Sequence, residues 1–101
     1  MAKKDNSLVI KLNRSIKFEE KEVKEIDLSS LENLRTKDLI EVEKQYNMEG
    51  NISAQPESTL AYARIVAQRV SDLPLEFFDS LNGKVMIKVR NAVMGFFYEE
   101  D

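Results

Sequence analysis

The side chains that could do chemistry in this chain are carboxylates and hydroxyls, because the sequence contains no histidine and no cysteine. Histidine is the usual general base near neutral pH and the commonest metal ligand, while a cysteine thiolate is a strong nucleophile. Without them, the serine hydroxyls lack the neighbour that normally activates them for attack. The three glycines, Gly50, Gly83 and Gly95, are too far apart to form a phosphate-binding loop. These observations argue against an enzyme.

Two groups of carboxylates remain, of which only the first could in principle bind a divalent cation. They are Glu19, Glu20, Glu22 and Glu25 near the N-terminus, and Asp72, Glu76 and Asp79 in the second half. The first group lacks the spacing of a calcium loop and is interleaved with lysines, so a solvated hairpin is the better interpretation. The second group is typical of helix capping and solubility. We therefore predict no metal site and no cofactor.

Composition limits the class of protein further. The 101 residues suit one domain spanning 1–101, and hydrophobic residues at 43% can build one modest core. The net charge is −3, with ten basic and eleven acidic residues in 1–50 and five and seven in 51–101. Because no basic cluster stands out, we expect no nucleic-acid partner. No apolar run approaches the roughly 20 residues of a membrane span, and no signal peptide is recognisable, so we expect an intracellular protein without membrane association.

The N-terminal part, residues 7–28, is predicted to form a small antiparallel β-sheet of two or three short strands. Leu8, Ile10 and Leu12 alternate with Val9 and Lys11, a bend is plausible at Asn13-Arg14, and alternation resumes at Ile16. The spacing between Val23 and Ile26 breaks strict alternation and predicts a β-bulge nearby. The glutamates of the connecting turn are poor hairpin residues, so we expect either local strain or a longer loop.

Residues 29–98 are predicted to be helical, with 1–6 and 99–101 as flexible ends. A capping-box pattern at residues 29–32 opens a short turn, and a helix over about 36–48 ends near Gly50. A central helix over 56–70 begins at Pro56, and a short helix follows Pro74. The last helix runs from about Lys84 to Tyr98. The expected fold class is therefore α+β, a small β-sheet followed by a bundle of about four helices.

The last helix carries apolar residues on two sides. A broad arc, expected to face the core, comprises Val85, Met86, Val89, Ala92, Val93, Phe96 and Phe97. A second stripe consists of Ile87, Met94 and Tyr98, spaced seven and four residues apart. Such a stripe implies either deeper burial within the monomer or a protein partner. We take Ile87, Met94 and Tyr98, together with Ile65 of the central helix, as the candidate partner-binding residues.

The order of these motifs resembles a known family over about residues 7–98. The chain resembles the small tail assembly chaperones of long-tailed bacteriophages and prophages. The similarity starts with the strand pattern at residues 8–28 and its Ile26-Asp27-Leu28 step, and continues with LRTKDLI at residues 34–40. Later matches are the Pro-x-x-x-Leu-Ala-Tyr step at residues 56–62, Leu73-Pro74 with Phe77-Phe78 and Leu81, and a closing helix through Asn91, Val93 and Phe96-Phe97. The turn departs from the pattern, because Glu19-Glu20 stands where glycine is frequent.

The resemblance implies a function in virion assembly. Such chaperones bind the long helical tape measure protein and keep it soluble until tail tube subunits polymerise around it. The implied partner is the tape measure protein, with the tail tube protein as a second candidate and homo-oligomers as a further expectation. The implied location is the host bacterial cytoplasm, and the chaperone is absent from the mature virion. The alternative is a structural tail or connector component of a phage or prophage particle.

Overall fold

The computed structural model describes residues 8–98 and has an α+β architecture. The predicted flexible ends, 1–6 and 99–101, and the first residue of the predicted sheet lie outside the described residues. The described elements are strands β1 (Val9–Phe18) and β2 (Lys21–Asp27), and helices α1 (Thr36–Met48), α2 (Leu60–Ser71), α3 (Leu75–Asp79) and α4 (Gly83–Tyr98). Short 3-10 turns occur at Ser29–Asn33 and Pro56–Ser58. The predicted fold class, a small antiparallel sheet followed by four helices, is confirmed.

The sheet is a single hairpin with an irregular β1. Residues 9–11 pair with residues 27–25, whereas Ile16 pairs with Val23, so residues 12–15 of β1 are accommodated opposite Lys24 alone. What the alternation suggested as two strands with a bend at Asn13-Arg14 is therefore one bulged strand. The irregularity lies on β1, opposite the Val23–Ile26 segment where the sequence predicted it.

The connecting turn is tight and strained. Phe18 pairs with Lys21, which leaves a loop of two residues, Glu19 and Glu20, with φ of 50° and 69°. Positive φ at both loop positions defines a type I′ turn, which matches the twist of the flanking strands and strongly favours Asn-Gly. Of the two outcomes expected from the sequence, the structure adopts strain, not a longer loop.

The caps of the helices explain most of their boundaries. The α1 helix begins where the Asp38 carboxylate accepts the Arg35 backbone N–H at 2.9 Å, and it stops at Gly50, whose φ is 87°. The 3-10 turn at Ser29–Asn33 is stabilised differently from the predicted capping box: the Asp27 carboxylate accepts both the N–H and the hydroxyl of Ser29. The N-cap position is Leu28 and has no side-chain cap, so the predicted capping box does not form and Asp27 holds the first residue of the turn instead.

The central helix is shorter than predicted. Pro56 opens a separate 3-10 turn, and α2 starts four residues later, where the Thr59 hydroxyl accepts the N–H of Tyr62 at 3.1 Å. Thr59 is extended, so the turn and the helix are not continuous. At the other end, Asp72 closes α2 with φ of 66° instead of capping the next helix. The α3 helix ends at Asp79, with Ser80 as its C-cap. The side-chain oxygen of Asn82 then accepts the Lys84 N–H and caps α4.

The core surrounds α2. This helix packs against α1, α3, α4, β2 and both 3-10 turns, and Ala63, Val66 and Ala67 are completely buried. Because alanine is small, Ala63 and Ala67 leave room for the elements that surround α2. The sheet joins this core through Ile10 and Ile26 and through Phe18, whose ring meets Phe77 of α3 edge-on with centroids 5.6 Å apart. A two-stranded hairpin is marginal alone, so this packing is what stabilises it.

Candidate partner-binding surface

The second stripe of α4 is accessible at the surface. Ile87 is 43% exposed and Tyr98 is 53% exposed, while Met94 between them is partly buried. The other side of α4 is anchored in the core by Met86, Val89 and Val93. Because residues 87, 94 and 98 recur at helical spacing, they share one side of the helix. Of the two readings of this stripe, burial within the monomer is therefore excluded for Ile87 and Tyr98.

Tyr98 is held in place at the C-terminal end of the stripe. Its hydroxyl donates a hydrogen bond to the Glu57 carboxylate at 2.8 Å, which ties α4 to the 3-10 turn before α2. Donating this hydrogen bond to the Glu57 carboxylate raises the pKa of Tyr98, because ionisation would remove the donated proton and place two negative charges together. The phenol is therefore neutral at physiological pH, and its ring presents a fixed, mainly apolar edge.

Ile65 does not belong to this surface. Its side chain is only 4% exposed, because α2 is surrounded by neighbouring elements on most of its circumference. The expectation that Ile65 joins Ile87, Met94 and Tyr98 in contacting a partner is therefore corrected. Ile65 is a core residue.

Sequence reasoning missed other exposed apolar side chains. Leu60, the first residue of α2, is 42% exposed. Met48 at the end of α1 and Ile52 in the following loop are 81% and 95% exposed. Their position on either side of Gly50, where α1 was expected to end, was the only feature of the sequence that indicated their exposure.

Ring contacts show where these residues lie relative to the stripe. The Tyr62 ring contacts that of Tyr46 in α1, with centroids 5.8 Å apart, and that of Phe97 in α4, at 6.4 Å. The end of α1, the start of α2 and the end of α4 therefore meet at one end of the bundle. Leu60 and Tyr98 are close in sequence to these rings, so this end of the molecule carries exposed apolar side chains from more than one helix.

The arginines of α2 form ion pairs that link this helix to neighbouring segments. The Arg64 guanidinium donates to both oxygens of Asp79 in α3 and, at 3.1 Å, to Glu49 after α1. Hydrogen bonds from the Gln45 amide and from Arg64 lower the pKa of Glu49. Arg69 pairs with Asp38 at 3.3 Å. Asp79 and these other carboxylates therefore serve to join helices.

The structure gives the candidate cation ligands no shared site. Within residues 8–98, no group of three or more carboxylates is arranged to hold a metal ion. In the N-terminal group, the Glu22 carboxylate accepts the Ser15 hydroxyl at 2.8 Å, and Glu19 and Glu20 form the hairpin loop. Among residues 8–98, no helix is long and apolar enough to cross a bilayer.

Comparisons of the chain with family models, with curated proteins and with solved structures found no match. The structural basis for proposing a function is therefore the geometry of this surface. It consists of an apolar stripe on a helix that is anchored in the core, and Tyr98 at its end is held by a hydrogen bond to Glu57. An exposed apolar stripe of this kind can bind protein.

Proposed function

We propose that this protein is a tail assembly chaperone of a phage or prophage, and that the α4 stripe binds helical segments of the tape measure protein. The observation that carries the proposal is the exposure of Ile87 and Tyr98 on a helix that is otherwise anchored in the core. The assignment to tail assembly is supported by the order of sequence motifs over about residues 7–98. A tape measure is a long, helix-rich chain, and a helix with an apolar side docking on an apolar surface is a common recognition mode.

The size of the stripe suits a reversible interaction. Fully burying one large apolar side chain contributes about 1.5–3 kcal/mol. Ile87 and Tyr98 are about half exposed and Met94 less so, so covering all three contributes on the order of 3 kcal/mol before the costs of association. A single copy therefore binds weakly. Many copies along one long chain could nevertheless cover it, and each could leave as tube subunits arrive.

Co-expression tests this proposal directly. The tape measure protein of the same phage or prophage should become soluble with the wild-type chain and co-purify with it. Ile87→Asp should abolish both effects while the far-ultraviolet circular dichroism stays that of the wild type. Ile40→Asp is the matched control, because Ile40 is a similarly exposed isoleucine, 47% accessible, on α1. If the tape measure protein is no more soluble with the wild-type chain than without it and does not co-purify with it, the proposal is wrong.

The alternative, a structural tail or connector component, makes the opposite prediction about the particle. A chaperone works in the host bacterial cytoplasm and is absent from the mature virion, whereas a structural subunit stays in it at fixed copy number. Mass spectrometry of purified particles separates the two. Stoichiometric recovery of this chain from particles would favour the structural role and contradict the chaperone.

A further inference from the structure

A second candidate surface lies between β1 and the N-terminal part of α4. It is an open groove of about 380 Å³. Aliphatic side chains contributed by both elements, including Ile10, Leu12 and Val85, form its apolar part. At 100° per residue, Lys84, Lys88 and Val85 lie about 60°, 100° and 160° around α4 from Ile87, so the groove begins beside the stripe and extends away from it. None of the stripe residues Ile87, Met94 and Tyr98 lines the groove. The groove is therefore a different surface from the stripe.

The charged residues of the groove are all basic. Lys11 and Arg14 come from β1, Lys84 and Lys88 come from α4, and no carboxylate lines it. The nearest acidic residue by strand pairing is Glu25, which pairs with Lys11. Among the described residues 8–98, none of the four cations has a carboxylate oxygen within 4 Å. A positively charged groove thus occurs in a chain whose net charge is −3. Sequence reasoning did not predict it, because even the closest members of the two pairs, Arg14 and Lys84, are 70 positions apart.

The groove follows the irregular part of β1. Consecutive residues 10–14 all line it, although neighbouring side chains of a strand point to opposite faces. The groove therefore runs along the edge of the strand instead of crossing one face. It includes the bulged segment, in which residues 12–15 have no separate partners in β2. A strand edge of this kind is where an extended peptide can add to a sheet.

We propose that this groove binds an extended acidic segment of another protein, with aliphatic side chains that contact Leu12 and Val85 and carboxylates that meet the four cations. The distribution of charge selects this occupant. A fatty acid would offer one carboxylate to cations on both sides of the groove. A single-stranded nucleic acid would require aromatic residues for base stacking, and the lining has none. The inference does not depend on the α4 stripe or on a role in tail assembly.

The test uses a fluorescein-labelled 12-residue peptide in which aspartate or glutamate alternates with leucine or valine, monitored by fluorescence anisotropy. Wild-type protein should bind it saturably, and the double variant Lys84→Glu/Lys88→Glu should bind at least ~10-fold more weakly, a change of about 1.4 kcal/mol. The matched control is Lys17→Glu, the same charge reversal on β1 outside the groove, which should leave the affinity unchanged. A peptide with serine in place of every aliphatic residue should also bind at least ~10-fold more weakly.

Several outcomes would overturn this inference. One is equal binding by the wild type and the double variant, and another is equal binding of the serine peptide, which would indicate charge attraction alone. Tighter binding of a 12-nucleotide oligothymidylate would indicate a nucleic-acid surface. Concentration-dependent self-association that is lost in Lys84→Glu/Lys88→Glu would assign the groove to a second copy of this chain. Circular dichroism of the double variant must match that of the wild type, and amide shifts in residues 10–14 on titration would locate the peptide independently of any substitution.

Discussion

Replacing Glu20 by glycine should stabilise the protein, although it removes a side chain and adds flexibility. Glu20 has φ of 69°, in the left-handed region, which costs an L-residue about 1–2 kcal/mol relative to ordinary backbone. Glycine does not bear that cost, but it loses about 0.5–1 kcal/mol more conformational entropy on folding. The net expectation for Glu20→Gly is a gain of about 1 kcal/mol, and adding Glu19→Asn should increase it because asparagine tolerates positive φ.

The same substitution elsewhere provides the control. Glu43 is an exposed residue in α1, where φ is negative and glycine is unfavourable. Glu43→Gly removes the same charge and the same side chain, and it should destabilise the protein by about 0.8–1 kcal/mol. Urea unfolding at constant pH, followed by circular dichroism at about 222 nm, measures the change in the free energy of unfolding of both variants. At this chain length, 1 kcal/mol corresponds to roughly 4–8 °C in Tm.

The turn geometry is tested by the opposite signs of the two results. If Glu20→Gly lowers the free energy of unfolding as Glu43→Gly does, the hairpin does not hold Glu20 in the left-handed region. The type I′ assignment would then be wrong, and with it the explanation of how two glutamates connect β1 to β2.

Three further predictions concern the core and the ion pairs. Val89→Asp should unfold the protein, because Val89 is fully buried and an unpaired buried charge costs several kcal/mol, whereas Ile87→Asp should leave the circular dichroism spectrum native. Arg64→Ala should lower the free energy of unfolding by about 1–2 kcal/mol in urea, since Arg64 hydrogen-bonds Glu49 and Asp79 on two other segments; an unchanged midpoint would show that these contacts contribute nothing. The pKa of Glu49 is lowered, so its contribution is fully present above the ordinary carboxyl value of 4.5 and is lost as pH falls through the lower folded pKa. Unfolding measured across that acidic range should accordingly be less pH-dependent in Glu49→Gln than in the wild type.

Local patterns were sufficient to predict the order and type of the elements. Alternation over Leu8 to Leu12 and the helical spacing of Met86, Val89 and Val93 both reflect burial of one face, which depends mainly on neighbours in sequence. Gly50 was correctly expected to stop α1 because its backbone conformation, with φ of 87°, suits glycine. These features are encoded within a few residues of where they appear.

The misassigned boundaries arose from competition between capping groups. Pro56 is a valid first residue for a helix, but the Thr59 hydroxyl caps the N–H of Tyr62 and starts α2 there. Asp72 was expected to cap the following helix, and it instead terminates α2 in a left-handed conformation. In both places, two acceptable signals lie within a few residues, and tertiary packing determines which is used.

The candidate surfaces depended on distant contacts, which periodicity does not report. Ile65 and Ile87 both lie outside the main apolar stripe of their helices, yet Ile65 is buried because α2 is surrounded and Ile87 is exposed because α4 is not. The basic groove brings Lys11 together with Lys88 only after β1 packs beside α4. The apolar pattern of a helix can be read from its own residues, but the elements that pack around the helix decide which of these residues are buried.

Site-specific photocrosslinking from the α4 stripe would show whether Ile87 contacts the tape measure protein. A photoreactive phenylalanine analogue replaces Ile87 in one variant and Ile40 in another, and each is co-expressed with the tape measure protein of the same phage or prophage. If the α4 stripe binds the tape measure protein, we expect a crosslink to it from position 87 and none from position 40. Equal crosslinking from both positions, or none from position 87 while the two proteins still co-purify, would show that the stripe is not the surface that binds it.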